Sequence, residues 1–185
     1  MINVSVFAIL IPVLLSMDIF FLSISGGVTM YPYRWINSLK ISSALVFAQI
    51  IAAIIGLFLG EMIQPLMGNY SLWASSLLIG FFAFKMIQEA IKTKNEQRTF
   101  LLEDQQILWF TALASSLSTL VIFVGMGMLG MDYHLSLSAL LLSIVFFSQL
   151  GLFVGSHYRP VRLGRSSKLL GGVLMLILVI LNYLL

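Results

Sequence analysis

Residues 3–25 read NVSVFAILIPVLLSMDIFFLSIS, and the only charged side chain in that stretch is Asp18. A helix that crosses the hydrocarbon core of a bilayer needs roughly 20 mostly apolar residues, and this segment meets that length. No Lys or Arg precedes Arg34. The basic opening of a secretory signal peptide is therefore missing, and the segment is expected to remain as a membrane helix. A buried Asp at the centre of such a helix costs on the order of 2.5–3.5 kcal/mol on insertion scales. A compensating neighbour is expected: a cation or proton inside a bundle, or a Ser or Gln on the next helix.

The rest of the 185-residue chain repeats the pattern. Further apolar stretches lie near 38–60, 71–91, 107–129, 135–155 and 167–185, which makes six spans in all. The separators carry turn and polar signals: Tyr31-Pro32-Tyr33-Arg34, Gln64-Pro65-Leu66-Met67-Gly68-Asn69, the polar run 92–106, Gly130-Met131-Asp132-Tyr133-His134, and His157-Tyr158-Arg159-Pro160. Charged residues make up 9% of the chain, against about 25% in a soluble domain, too few to coat a water-facing globule. The pI near 9.3 rests on a net charge of only +3 with the basic residues in short clusters, so no nucleic-acid partner is implied. The absence of cysteine excludes disulfides, Fe–S clusters and thiolate zinc sites. No nucleophile–base pair, HExxH, P-loop or Rossmann glycine run occurs, so no enzyme is expected and no cofactor is implied. The alternation of a membrane β-barrel is also missing.

The fold class is accordingly all-α: a polytopic membrane protein of six transmembrane helices, forming one membrane domain over 1–185. Basic residues gather at the odd connections (Arg34 and Lys40; Lys85, Lys92, Lys94 and Arg98; Arg159, Arg162, Arg165 and Lys168). By the positive-inside rule those connections are cytoplasmic and both termini face outward. Three helices per half predict an inverted repeat, with repeat 1 about 1–91, a cytoplasmic loop about 92–106 and repeat 2 about 107–185. Ser16-Met17-Asp18 matches Ser116-Leu117-Ser118 at an offset of 100, and each is followed by glycines, Gly26-Gly27 and Gly125 with Gly127. The same offset pairs Gln49 with Gln149, while Leu77-Leu78-Ile79-Gly80 matches Leu169-Leu170-Gly171-Gly172 at 92.

Asp18 is the first candidate cation ligand, because intramembrane ionisable groups are functional by default. Ser118, its repeat mate, offers a hydroxyl. Gln49 and Gln149 offer amide carbonyls, or else interhelical hydrogen bonds. Lys85 and Glu89 lie at i, i+4 near the end of the third span, as a local ion pair or a cytoplasmic gate. Pro12, one to two turns before Asp18, is expected to kink its helix and, with Ser25-Gly26-Gly27, to leave carbonyls free. The ten methionines have no MxxxM ladder or His partner and read as packing residues. His134 and His157 read as solvated loop residues.

From Ser16-Met17-Asp18 and Ser23-Ile24-Ser25-Gly26-Gly27 onward, the sequence resembles the bacterial MntP family of manganese efflux pumps, within the lysine-exporter superfamily of six-helix 3+3 proteins. Lys85-Met86-Ile87-Gln88-Glu89, Ala112-Leu113-Ala114-Ser115-Ser116-Leu117 and Leu169-Leu170-Gly171-Gly172 add to the likeness, which covers 1–185. It implies a multi-pass protein of the bacterial plasma membrane that exports Mn²⁺ or another divalent cation by alternating access. Asp18, Ser118, Gln49 and Gln149 are the candidate ligands. The implied partners are the lipid bilayer and the cation substrate, with homo-oligomerisation left open. The chain departs from the family pattern at three points. Ser118 stands in place of a second aspartate, Gln49 in place of a glutamate, and Ala53 in place of a proline. A dication bound by Asp18 and neutral oxygens would have to keep part of its water shell. Two other readings remain: an exporter of a small organic cation or amino acid, and a non-transporting membrane component that binds partners within the bilayer.

Overall fold

A computed structural model describes residues 4–30, 33–92, 104–158 and 161–184. Tyr31-Pro32, most of the polar run 92–106 and Arg159-Pro160 lie outside the described residues, as do Lys94 and Arg98. All regular secondary structure among the described residues is helical: α1 (Val4–Gly27), α2 (Trp35–Met67), α3 (Ser71–Lys92), α4 (Gln105–Met128), α5 (Tyr133–Tyr158) and α6 (Val161–Leu184), with a 3₁₀ turn at Gly68–Tyr70. α1 to α5 are long and apolar enough to cross a membrane, and α6 carries an apolar stretch over Ser166–Leu181.

Two boundaries differ from the sequence reading. α2 starts at Trp35 and continues through Pro65 to Met67, about 50 Å at 1.5 Å per residue, which exceeds the ~30 Å hydrocarbon core. It stops at Gly68, where φ is +50° and the amide donates to the Gln64 carbonyl. α6 begins at Val161, about two turns earlier than expected, and this carries Lys168 into the helix interior. Pro12 lies within an unbroken α1. The two histidines sit at the ends of α5, where Asp132 caps the first turn through the His134 amide at 3.1 Å and the His157 ring packs on Phe153 and Tyr33.

The distribution of side chains is that of a protein dissolved in lipid. Phe47, Phe58, Phe81, Phe110 and Phe146 face outward, while Ser16, Ser23, Ser38, Ser42, Ser75, Ser136 and Ser148 are buried. In water, burying phenylalanine and exposing serine would be the stable arrangement. In hydrocarbon there is no such drive, and small residues are selected for close helix approach. Many buried hydroxyls donate to the carbonyl three or four residues back, as Ser16 does to Val13 at 2.6 Å and Ser116 to Leu113 at 2.9 Å, so they need no partner on another helix.

The main helix pairs are α1 with α5, α2 with α4, α3 with α6, α1 with α6, α2 with α5 and α3 with α4. Exchanging α1 with α4, α2 with α5 and α3 with α6 leaves that set unchanged. The same exchange maps the closest backbone approaches onto each other. Gly27 packs against Leu152 and Gly155 of α5, and Gly127 packs against Leu57 and Gly60 of α2. Gly151 meets Phe20, Ser23 and Ile24, while Gly56 meets Leu120, Phe123 and Val124. These contacts relate α1 to α4 by adding 100 (Gly27 to Gly127) and α2 to α5 by adding 95 (Gly60 to Gly155). The offset of 100 expected for Gln49 and Gln149 is therefore replaced. In this register Gln49 corresponds to Ile144 and Gln149 to Ile54, and the two glutamines are not mates.

Candidate functional site

α1, α3, α4 and α6 converge on one small interior cavity. Its lining includes Asp18, Lys85, Glu89, Ser118 and Lys168, with Leu15, Phe82, Met86, Ile122 and Met175 as apolar walls. Its volume is about 20 Å³, and a single water molecule needs about 10–15 Å³ on the same measure.

The helix packing explains why these side chains meet. Gly171 of α6 lies directly against the Leu14 carbonyl and the Met17 Cβ of α1, and its neighbour Gly172 lies against Ala83 and Ile87 of α3. A glycine pair without side chains brings α6 close to both partners at once. Lys168 is three residues before Gly171, one turn along the same helix face, and this proximity carries its chain to Asp18 and Glu89. Ser118 enters from α4 at the position that corresponds to Asp18.

The ammonium of Lys168 lies 2.6 Å from Asp18 Oδ1 and 2.8 Å from Glu89 Oε2. It donates a hydrogen bond to Glu89. Its approach to Asp18 Oδ1 is an ion pair outside hydrogen-bond alignment, and that buried oxygen has no hydrogen-bond donor among the described residues. The Asp18 and Lys168 side chains are only 15% and 9% exposed, so neither charge is much screened by water. The Phe21 ring face lies 5.4 Å from the same nitrogen and adds a cation–π attraction. At the rim, Lys85 and Glu89 form the expected i, i+4 pair at 3.7 Å, both nearly half exposed. With each group ionised, two carboxylates and two ammoniums give the site no net charge.

Four of the six sequence candidates are therefore brought together: Asp18, Ser118, Lys85 and Glu89. Gln49 and Gln149 are placed elsewhere. Gln49 is buried between α2 and α4, where its Nε2 donates to Ser115 Oγ at 2.9 Å and its Oε1 accepts from Thr119 Oγ1. Gln149 accepts from Ser38 Oγ of α2 at 2.8 Å, and Ser38 in turn accepts from the Tyr33 hydroxyl. Both amides act here as interhelical hydrogen-bond partners. Gln49→Leu is expected to lower stability by about 0.6–1.7 kcal/mol and to leave cation handling at the Asp18 cavity intact. Detergent melting curves and a transport assay on the same preparation check both halves of that expectation.

Sequence reasoning missed Lys168, which it counted with Arg159, Arg162 and Arg165 as a cytoplasmic anchor. The available signal was its spacing from Gly171-Gly172. Among the described residues no three His, Asp or Glu side chains cluster as a metal cage. A hollow of about 620 Å³ lies between the first turns of α2 and α4, lined by Lys40, Asn37, Gln105 and Trp109 among others. No carboxylate lines it among the described residues.

The model of one protein family, described as "Putative manganese efflux pump", matches residues 32–184. The chain belongs to the MntP family. Relatives named "Putative manganese efflux pump MntP" include one from Citrobacter koseri, 26% identical over 164 residues that span 88% of this chain and 87% of the relative. One from Yersinia pestis is 26% identical over 163 residues, 88% of this chain and 86% of the relative. No solved structure matches the chain. Membership in the MntP family makes this a multi-pass membrane protein of a transporter family, in keeping with the outward phenylalanines and buried serines described above.

Proposed function

We propose that this chain exports a divalent cation, Mn²⁺ or one of similar chemistry, through the Asp18 cavity by alternating access of two inverted three-helix halves in a bacterial plasma membrane. The observation that carries the reading is the meeting of two carboxylates, Asp18 and Glu89, on one cation-sized position inside a membrane bundle. Mn²⁺ favours carboxylate, hydroxyl and water oxygens. Asp18 and Glu89 supply two charged donors and Ser118 a neutral one, so the ion's remaining ligands would be waters admitted as the cavity widens. The names of the relatives support manganese as cargo. The pairing that survives exchange of the two halves supports the inverted repeat, and transporters of that plan place their sites between the halves near mid-membrane.

The positive-inside orientation puts the last turn of α3 and the start of α6 on the cytoplasmic side. The half-exposed Glu89 and Lys85 would then form the inner mouth of the pathway, which supports reading this arrangement as the one open toward the cytoplasm. A cavity with room for about one water favours an ion over an amino acid or organic cation. The presence of a cavity at Asp18 favours transport over a purely structural membrane component.

The test is manganese tolerance and cellular manganese content in cells that lack other exporters. Wild type is expected to lower cellular manganese, and Asp18→Asn to abolish that effect, with Glu89→Gln intermediate. Ser118→Asp, which adds a third carboxylate to the cavity, is expected to improve export. Equal manganese content in cells carrying wild type and Asp18→Asn, at matched expression, would overturn the assignment. A substrate screen in loaded vesicles separates dications from amino acids.

A further inference from the structure

We propose that Lys168 is a tethered competitor of the cargo: its ammonium holds the place between Asp18 and Glu89 that the dication takes, so the two exclude each other and Lys168 limits how tightly the cation binds. The proposal rests on the cation-export reading above and adds to it the residue that sets affinity and release.

Three observations carry it. The Lys168 nitrogen is within 2.8 Å of oxygens from both carboxylates, so an ion bridging those carboxylates would overlap the ammonium. The free space beside the amine holds about one water, so a dication that keeps its water shell has no room there while the ammonium is in place. Asp18 Oδ1, approached off-axis by the amine, receives no hydrogen bond among the described residues. The contact with Asp18 is therefore held by charge and short distance, which a dication on the same oxygen would also supply. A dication added to the neutral four-charge site with Lys168 in place would leave two uncompensated positive charges in a poorly screened interior. Withdrawal of the ammonium removes one of them. The lysine stem is long, and Glu89 is nearly half exposed at the rim, so the amine has a direction in which to withdraw while staying near one carboxylate. Return of the amine to Asp18 would expel the ion without any need for a proton at the site.

The experiment measures Mn²⁺ binding to the full chain in lipid nanodiscs, from loss of the free-ion electron paramagnetic resonance signal. Lys168→Gln is expected to bind Mn²⁺ about tenfold or more tightly than wild type, since a like charge at contact distance is lost. Asp18→Asn added to Lys168→Gln is expected to reverse the gain. A second measurement needs no variant. Mn²⁺ at saturation is expected to increase acylation of Lys168 in the wild-type chain, read by peptide mass spectrometry, because the displaced amine leaves its buried ion pair. Affinity in Lys168→Gln equal to or weaker than wild type, or labelling of Lys168 unchanged by bound Mn²⁺, overturns the competitor role. If wild type still binds Mn²⁺ through Asp18 in that case, the export reading survives. If no form of the protein binds Mn²⁺, both fall together.

Discussion

Asp18→Leu is expected to destabilise the protein by about 3 kcal/mol, and Lys168→Met added to it is expected to restore most of the loss. Removing one partner of a buried ion pair costs about 3–5 kcal/mol because the other charge is left uncompensated. The low end of that range applies because Lys168 retains Glu89 at 2.8 Å. Replacing both partners by apolar side chains of similar volume removes the orphaned charge, and such exchanges are often neutral or stabilising. Lys85→Ala is the contrasting case. It breaks a 3.7 Å pair whose members are nearly half exposed, and such surface pairs are worth about 0–1 kcal/mol. Reversible unfolding in mixed micelles, followed by helical circular dichroism, ranks the four proteins. A double variant no more stable than Asp18→Leu would mean that Asp18 is held by something other than Lys168.

The same ion pair marks the limit of what hydropathy reveals. All six helices were legible because each carries a long apolar run and because lipid leaves the backbone few alternatives to helix. Asp18, Ser118, Lys85 and Glu89 were legible as polar groups in apolar surroundings. Lys168 was not, because Arg162 and Arg165 lie just before it and the group read as one basic connection. Its burial follows from α6 starting two turns early and from Gly171-Gly172 drawing that helix onto α1 and α3, which are tertiary facts. The glutamines failed for a different reason. The stretch between Gly27 and Trp35 is longer than that between Met128 and Tyr133, so a register carried from the first helix of each half slips in the second. Gly56 and Gly60, with Gly151 and Gly155, keep the true register, and they escaped notice because glycine leaves no mark on a hydropathy pattern.

Those four glycines lead to the second large effect. Gly60→Leu and Gly155→Leu are expected to prevent accumulation of folded protein, and the corresponding Ala variants to lower stability by similar amounts at the two sites. A Cβ on Gly60 would fall 2.8 Å from Gly127 Cα and 2.9 Å from the Met128 amide nitrogen, and one on Gly155 would fall 3.0 Å from Gly27 Cα. These obstacles are backbone, which cannot rotate aside as a side chain can. Overpacking a tight core costs about 1–3 kcal/mol even for small additions, and leucine adds three further carbons to the same space. Gly80→Ala is the control within the same fold. Its new methyl would meet only Val179 Cγ1, at 3.9 Å, and alanine favours helix over glycine by about 0.5–1 kcal/mol, so this variant is expected to be neutral or slightly stabilised. Melting temperatures in a single detergent test the set. Matched losses at Gly60 and Gly155 are what two equivalent seams require, since each joins the second helix of one half to the first helix of the other. If only one of the two sites were sensitive, the seams would differ in function, and the halves could not exchange roles by the same sliding contact.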